Sequence, residues 1–273
     1  MLKYCCTLLL ILATLSAKPQ HPPVFDGIKT DTVALKLYDL DIKLVRYSYR
    51  MPNVNFLVIH DDEDTGVKAA FEYIQFSGGS IIDCQYGSVR NFRFSHRSSG
   101  FMTDPNSIYS YQGIVSALVK YENTDNDSVI DKLEDIGKKI LEYYDGAKHG
   151  YFFTLHNNAD GGFGINSYQE GEDLELTADS VHVNPEMDAD DLVLVTDPAL
   201  FRHLKVQNVN VILQSDRGPE DGSLSVYAMA HKIPYINVEV QHGHQQVHLE
   251  LIEKAIKALF EVYPHLKQKK AAE

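Results

Sequence analysis

Short apolar runs recur along the chain, and stretches of helical periodicity lie between them. The runs include "NFLVIH" (55–60), "SIIDCQY" (80–86), "GYFFTLHNN" (150–158), "DLVLVTD" (191–197), "VNVILQSD" (209–216) and "PYINVEVQHGH" (234–244). Continuous Val, Ile, Leu and Phe without polar alternation is the pattern of strands buried on both faces. In "EDTGVKAAFEYIQFSGG", Val67, Ala70, Phe71 and Ile74 fall at helical spacing, and Gly78-Gly79 stops the helix. "DSVIDKLEDIGKKILEYY" places Val129, Leu133, Ile136, Ile140 and Leu141 on one helical face. "GSLSVYAMAHK" and the closing "HLELIEKAIKALFEVYPHL" read as two further helices. Two hairpins complete the pattern, one around "DLD" in "VALKLYDLDIKLVRYSY" and one around "HRSSG" in "VRNFRFSHRSSGFMTD". Strands alternating with helices predict a layered α/β fold, with a mixed, mostly parallel central sheet and helices on both faces.

The N-terminus, "MLKYCCTLLLILATLSAKPQHPP", has Lys3, then an apolar Cys5–Leu15, then the small residues Ser16 and Ala17. That is the layout of a secretory signal peptide cleaved near Ala17. The sequence therefore divides into a signal peptide (1–17) and a single domain (18–273). The mature protein is expected to be secreted, periplasmic or otherwise extracytoplasmic. Cys5 and Cys6 fall inside the signal, so Cys84 alone remains and no internal disulfide is expected. No later apolar stretch reaches the ~18 residues of a membrane span. The formal charge of −13 excludes a nucleic-acid surface, which needs a concentrated positive face. The basic C-terminal "KQKKAAE" reads as a solvated tail.

Ligands of open α/β sheets bind at the carboxyl ends of the strands. Three predicted strands end in titratable residues. "NFLVIH-DDE" gives His60 and Glu63, "GYFFTLH-NN" gives His156, and "PYINVEV-QHGH" gives Glu239. If these strands are parallel, their ends meet on one sheet edge. Two imidazoles and a carboxylate are a ligand set for one catalytic Zn²⁺, with a fourth position open for water. A nearby carboxylate that is not a ligand can take the proton of that water, and Glu239 sits where such a base belongs. "DDED" would also serve as a charged N-cap for the helix that follows.

The order of these elements resembles the zinc carboxypeptidase-like superfamily, closest to the branch of succinylglutamate desuccinylase and aspartoacylase. The resemblance rests on "HDDE" (His60, Glu63), "DPNSIYS" (104–110), "TLHNN" (His156) and "NVEVQHGH" (Glu239). It implies a phosphorylase/hydrolase-like three-layer α/β/α sandwich. It also implies His60, Glu63 and His156 as zinc ligands and Glu239 as general base. The family's oxyanion-stabilising arginine falls in "VRNFRFSHR", where a hairpin puts Arg97 at its far turn and returns Arg90 and Arg93 close to Asn106, so that Arg90 is favoured, then Arg93. Asn106 is the implied substrate-binding residue. The family box continues with arginine after that asparagine, whereas this chain has Ser107, so a bidentate guanidinium clamp for a free C-terminal carboxylate is missing. Arg217 is a substitute cation on another loop. Tyr168 lies in a Gly-rich loop that could cover the site or be an ordinary loop aromatic.

The resulting expectation is an exported zinc-dependent hydrolase that cleaves an amide bond in peptides, including cell-wall peptides. N-acyl amino acids of the aspartoacylase type are the alternative substrates, and a non-catalytic metal- or ligand-binding protein on the same fold is the rival class. His242, His244 and His248 compete for the metal, since His244 and His248 are four apart and would share a helix face with Glu239 nearby. His96, His149, His203 and His231 have no partners visible in the sequence.

Overall fold

A computed structural model describes residues 25–50, 54–121 and 126–267. The expected signal peptide and its two cysteines, Cys5 and Cys6, lie outside the described residues. In chain order the elements are β1 (Lys29–Leu37), β2 (Leu40–Tyr49), β3 (Asn55–Val58), α1 (Asp64–Ser77), β4 (Gly79–Gln85), β5 (Phe92–His96), β6 (Ser99–Thr103), α2 (Tyr111–Lys120) and α3 (Asp127–Tyr144). There follow α4 (Gly146–His149), β7 (Phe152–Asn158), β8 (Ala178–His182), β9 (Leu192–Val195), α5 (Pro198–Val206), β10 (Val211–Gln214), α6 (Leu224–Ala230), β11 (Tyr235–Gln241) and α7 (Gln245–Val262).

Nine strands form one sheet in the order β1-β2-β4-β3-β7-β11-β9-β10-β8, and β5-β6 form a separate hairpin. The central strands β4, β3, β7 and β11 are mutually parallel. Antiparallel neighbours flank them: β2 pairs with β4 on one side and β9 with β11 on the other. β10 runs parallel to β9, so β9 and β10 point opposite to the central four. The sheet is thus mixed with a parallel centre, as the apolar runs predict.

Side-chain alternation along the strands feeds two cores. Phe56, Val58, Phe153, Leu155, Ile236 and Val238 pack with α1, α5 and α7 on one face. Leu57, Ile59, Phe152 and Tyr235 pack with α2, α3 and α6 on the other. This is a three-layer α/β/α sandwich. α3 shows the local logic. Asn126 caps its first turn by accepting from Val129 N, and Val129, Leu133, Ile136, Ile140 and Tyr144 form its buried face. Each such aliphatic burial contributes about 1.5–3 kcal/mol. Asp145, in left-handed conformation (φ 59°), ends the helix. The buried Tyr144 hydroxyl then donates to Asn55 O (2.9 Å) and accepts from Phe153 N (2.9 Å), pinning the starts of β3 and β7 together. Those two strands carry the histidines discussed below.

The connection leaving β3 runs through α1 to β4, on one side of the sheet order. The chain leaving β7 builds β8 to β11, on the other. The carboxyl ends of β3 and β7 therefore flank a topological switch point, where open α/β sheets form a crevice. Among the described residues no helix is long and apolar enough to cross a membrane. Cys84 is buried and unpaired in β4.

Candidate metal centre and cleft

The "DDED" run divides its labour. Asp61 Oδ2 accepts backbone N–H groups from Tyr86, Gly87 (2.6 Å) and Ser88 (2.8 Å), which fixes the loop that delivers Arg90. Asp62 lines the cleft described below. Glu63 is buried and makes no side-chain cap bond although it stands at the N-cap of α1, so its carboxylate is left for other work. Asp64 begins the helix.

His60, Glu63 and His156 are all buried, and a ligand atom from each lies within 4.8 Å of the others. They are the one such group of three or more among the described residues. His60 Nδ1 is 2.8 Å from Glu63 Oε1, His156 Nδ1 is 3.2 Å from that same oxygen, and the two Nδ1 atoms are 3.1 Å apart. Zinc with ligands at ~2.0–2.1 Å in tetrahedral geometry separates them by about 3.3–3.4 Å, close to this triangle. Two ring nitrogens facing each other across a carboxylate oxygen need a shared positive charge. The far nitrogen of His60, Nε2, sits 2.9 Å from Asp104 Oδ1. A carboxylate there holds the proton on Nε2 and turns Nδ1 toward the triangle, an arrangement common behind metal-bound histidines. Glu63 Oε2 is buried without a hydrogen-bond partner. The donor set and its geometry fit one divalent cation.

The electrostatics agree. Burial works against charge on His60, yet Glu63 and Asp104 outweigh it and raise the pKa to about 9. Burial would raise Glu63, but His156 and His60 hold it well below the usual carboxylate range. Asp104, despite burial, is lowered to about 2 by His60. The pocket is built to hold positive charge against anionic oxygens.

Glu239 is the register partner of His156 on the adjacent parallel strand, so both side chains leave the same sheet face. Glu239 is buried, and burial, with Glu63 adding to it, lifts its pKa above the usual value. Asn237 Nδ2 donates to Glu239 Oε2 (3.2 Å) and Thr154 donates to Asn237 Oδ1 (3.2 Å), which orients the carboxylate. Arg90 Nη1 donates to Glu63 Oε1 (3.1 Å) from a half-exposed position at the mouth. Arg93 alternates outward on β5, and Arg97 sits in the hairpin turn with φ 48°.

Asn106 lies beside the cleft, but its Oδ1 accepts from Leu224 N (3.3 Å) at the start of α6. Arg217, the substitute cation of the sequence reading, is exposed and paired with Asp179 (2.9 Å), away from the cleft lining. Tyr168 is buried and lines the cleft. The rival histidine centre does not assemble. His244 stands at the N-cap of α7 and contacts Asp191 Oδ2 (3.0 Å), while His248 is fully buried with both ring nitrogens unpartnered. His242 lines the cleft.

The cleft has a volume of about 1000 Å³. Its floor is built from alternate residues of β11 (Tyr235, Asn237 and Glu239), with Leu194 of β9 and Gln214 of β10. α6 and the loop carrying Tyr168 and Leu174 form walls. Sequence reasoning missed Asp104, whose contact is long-range, and the floor residues Tyr235 and Asn237. The signal for the latter was present, since "Y-x-N-x-E" puts polar groups at period two on a strand otherwise apolar on its other face.

No protein-family model matches the chain, and no curated protein matches it. Two solved structures, each provisionally designated a metallopeptidase, are similar to it. The one from Shewanella denitrificans OS217 has a TM-score of 0.40 and 12% identity, covering 88% of this chain and 85% of that one. The one from Shewanella amazonensis SB2B has a TM-score of 0.36 and 10% identity, covering 85% of this chain and 86% of that one. Likeness at this level carries no functional argument, and the reading below rests on the geometry of the site.

Proposed function

We propose that this chain is an exported zinc-dependent hydrolase that cleaves an amide bond. The observation that carries the reading is the buried triangle of His60 Nδ1, Glu63 Oε1 and His156 Nδ1, with Glu239 register-paired beside His156 at the head of a deep cleft. His60, Glu63 and His156 would hold the ion. When bound, it supplies a Lewis acid that polarises a carbonyl and acidifies water. Glu239 would take the proton of the attacking water and return it to the leaving amine. A carboxylate whose proton affinity is raised by burial suits that two-way role better than a fully solvated one. Arg90 would offer its guanidinium to the negative oxygen that develops on the carbonyl. Asn106 would contact the substrate chain with its amide N–H₂, its oxygen being engaged by α6. Short peptides are the first substrates to test, with N-acyl amino acids second.

Metal analysis of purified protein, joined with a Glu239→Gln variant, tests this. The expected outcome is one zinc per chain in both proteins, chelator-sensitive amide hydrolysis in the wild type, and none in the variant. Stoichiometric zinc with no hydrolysis of any amide by the wild type would overturn the catalytic reading. The export part rests on residues 1–17, and N-terminal sequencing of protein made in its native host should find the mature chain starting near Lys18.

A further inference from the structure

Three polar side chains, those of Thr154, Tyr235 and Asn237, interrupt two strands that are otherwise apolar before His156 and Glu239. Thr154 of β7 is the register partner of Asn237 of β11, one step before the pair His156 and Glu239 on the same sheet face. Thr154 and Tyr235 are buried and Asn237 is half-buried. Hydroxyl and amide groups in such positions cost stability unless their hydrogen bonds are made. Here they are made with one another, in a row that ends on Glu239.

The direction of the row follows from its last member. An ionised carboxylate can only accept, so Asn237 turns Nδ2 toward Glu239 Oε2 (3.2 Å). Its Oδ1 then faces the other way and accepts from Thr154 Oγ1 (3.2 Å). Thr154 has given its one proton to Asn237, so its oxygen accepts from the Tyr235 phenol (2.7 Å). That is the one hydrogen bond of this phenol among the described residues. Tyr235, Thr154 and Asn237 thus all donate toward Glu239.

The row settles on one atom of the carboxylate. Oε2 is taken by Asn237, whereas Oε1 has no hydrogen-bond partner among the described residues and Glu239 lines the cleft. An amide held at one end can flip, and Thr154 supplies the contact that holds the other. Thr154 is not among the residues lining the cleft, so it acts from behind.

We propose that Asn237 is a positioning residue for Glu239, with Thr154 and Tyr235 acting through it, so that Oε1 rather than Oε2 is presented to the ion site. The use of Glu239 rests on the amide-hydrolase reading, while the row itself does not. A catalytic group misplaced by ~1 Å costs on the order of 10²-fold in rate, and loss of one of two anchors on its support should cost about tenfold.

The test has a kinetic arm and a spectroscopic arm, both on zinc-loaded protein. Thr154→Val keeps the shape of the side chain and removes the hydroxyl. With the short peptide or N-acyl amino acid that the wild type hydrolyses, its kcat should fall about tenfold at unchanged KM and zinc content. Thr154→Ser should recover most of that loss. The double variant Thr154→Val/Asn237→Ala should be no slower than Asn237→Ala, because Thr154 acts through the amide. In ¹⁵N-labelled protein, the Asn237 side-chain N–H₂ signals are identified by their absence in Asn237→Ala. The proton donated to Glu239 should move upfield in Glu239→Gln and in Thr154→Val, and should stay in place in Thr154→Ser. Full kcat in Thr154→Val, or additive losses in the double variant, would overturn the proposal. Signals indifferent to Thr154→Val would do so whether or not the wild type turns over. If the wild type hydrolyses nothing while the signals respond as expected, the hydrolase reading falls and the orientation of Glu239 by this row stands.

Discussion

His248 offers the sharpest quantitative test of the fold around the site. It is fully buried in α7, neither ring nitrogen has a partner, and its Cε1 lies where a Cβ on Gly66 would be only 3.1 Å away. Burial lowers its pKa to about 3, against 6.5 in the unfolded chain. The folded-state pKa is depressed, so above pH 6.5 both states are neutral at this residue and it costs nothing. As pH falls below 6.5 the unfolded chain gains a proton that the folded chain refuses, and stability is lost until about pH 3. One pKa unit is worth ~1.4 kcal/mol, so this residue alone removes about 2 kcal/mol by pH 5 and nearly 5 kcal/mol in the limit. His248→Leu replaces the ring with an apolar side chain of similar volume, and because no hydrogen bond is lost it should be neutral or mildly stabilising at pH 8. Urea unfolding of both proteins between pH 8 and pH 5, with EDTA throughout so that ion release is common to both, gives the difference directly. The variant should overtake the wild type by about 2 kcal/mol at pH 5 relative to pH 8. Parallel stability curves over that range would refute the reasoning and mean that the imidazole finds a partner or a proton in the folded state.

Added zinc should raise the Tm of the wild type, and His60→Ala and His156→Ala should each abolish that rise and leave dialysed protein without zinc by elemental analysis, since each removes one corner of the triangle. Asp61→Ala strips three backbone N–H groups of one carboxylate oxygen, so denaturant unfolding should show a loss of about 3 kcal/mol, and Arg90 should lose its fixed position with a fall in kcat. In the β5–β6 turn, Arg97 (φ 48°) and Ser98 (φ 68°) both occupy the left-handed region that Asn-Gly adopts readily. Replacing the pair with Asn-Gly should raise stability by about 1 kcal/mol, measured by thermal unfolding, without altering zinc content.

The parallel centre and the meeting of His60, Glu63 and His156 were legible for one reason. A strand buried on both faces has no cause to end in His60 or His156 unless something at its end needs them, and β7 is buried from Phe152 to Asn158. α3 was legible to the residue because its apolar period runs unbroken between Asn126 and Asp145. α2 and α5 were not read. α2 follows "DPNSIYS", whose turn chemistry hides the start of a short helix, and α5 opens on Pro198 directly after a strand. β8 is an edge strand with no fully buried residue, so it lacks the apolar run that marked its neighbours. α7 begins at Gln245, ahead of the predicted "HLELIEKAIKALF", because polar Gln245 and Gln246 fill its first turn. The far half of the cleft was invisible for a topological reason. Nothing in "DLVLVTD" or "VNVILQSD" states that β9 and β10 run against β11, and only that reversal brings Asp216 and Gln214 under the same roof as Glu239.

The segment from Asp104 to Ser110 joins the two halves of the site. Asp104 Oδ1 faces His60 Nε2 and accepts from Asn106 N (2.8 Å), so the carboxylate that orients His60 also fixes the turn behind it. Asn106 then holds the first turn of α6, and Ser110 holds Glu220 in the acidic loop. Reorientation of His60 would therefore be felt through one carboxylate at the loop that precedes α6.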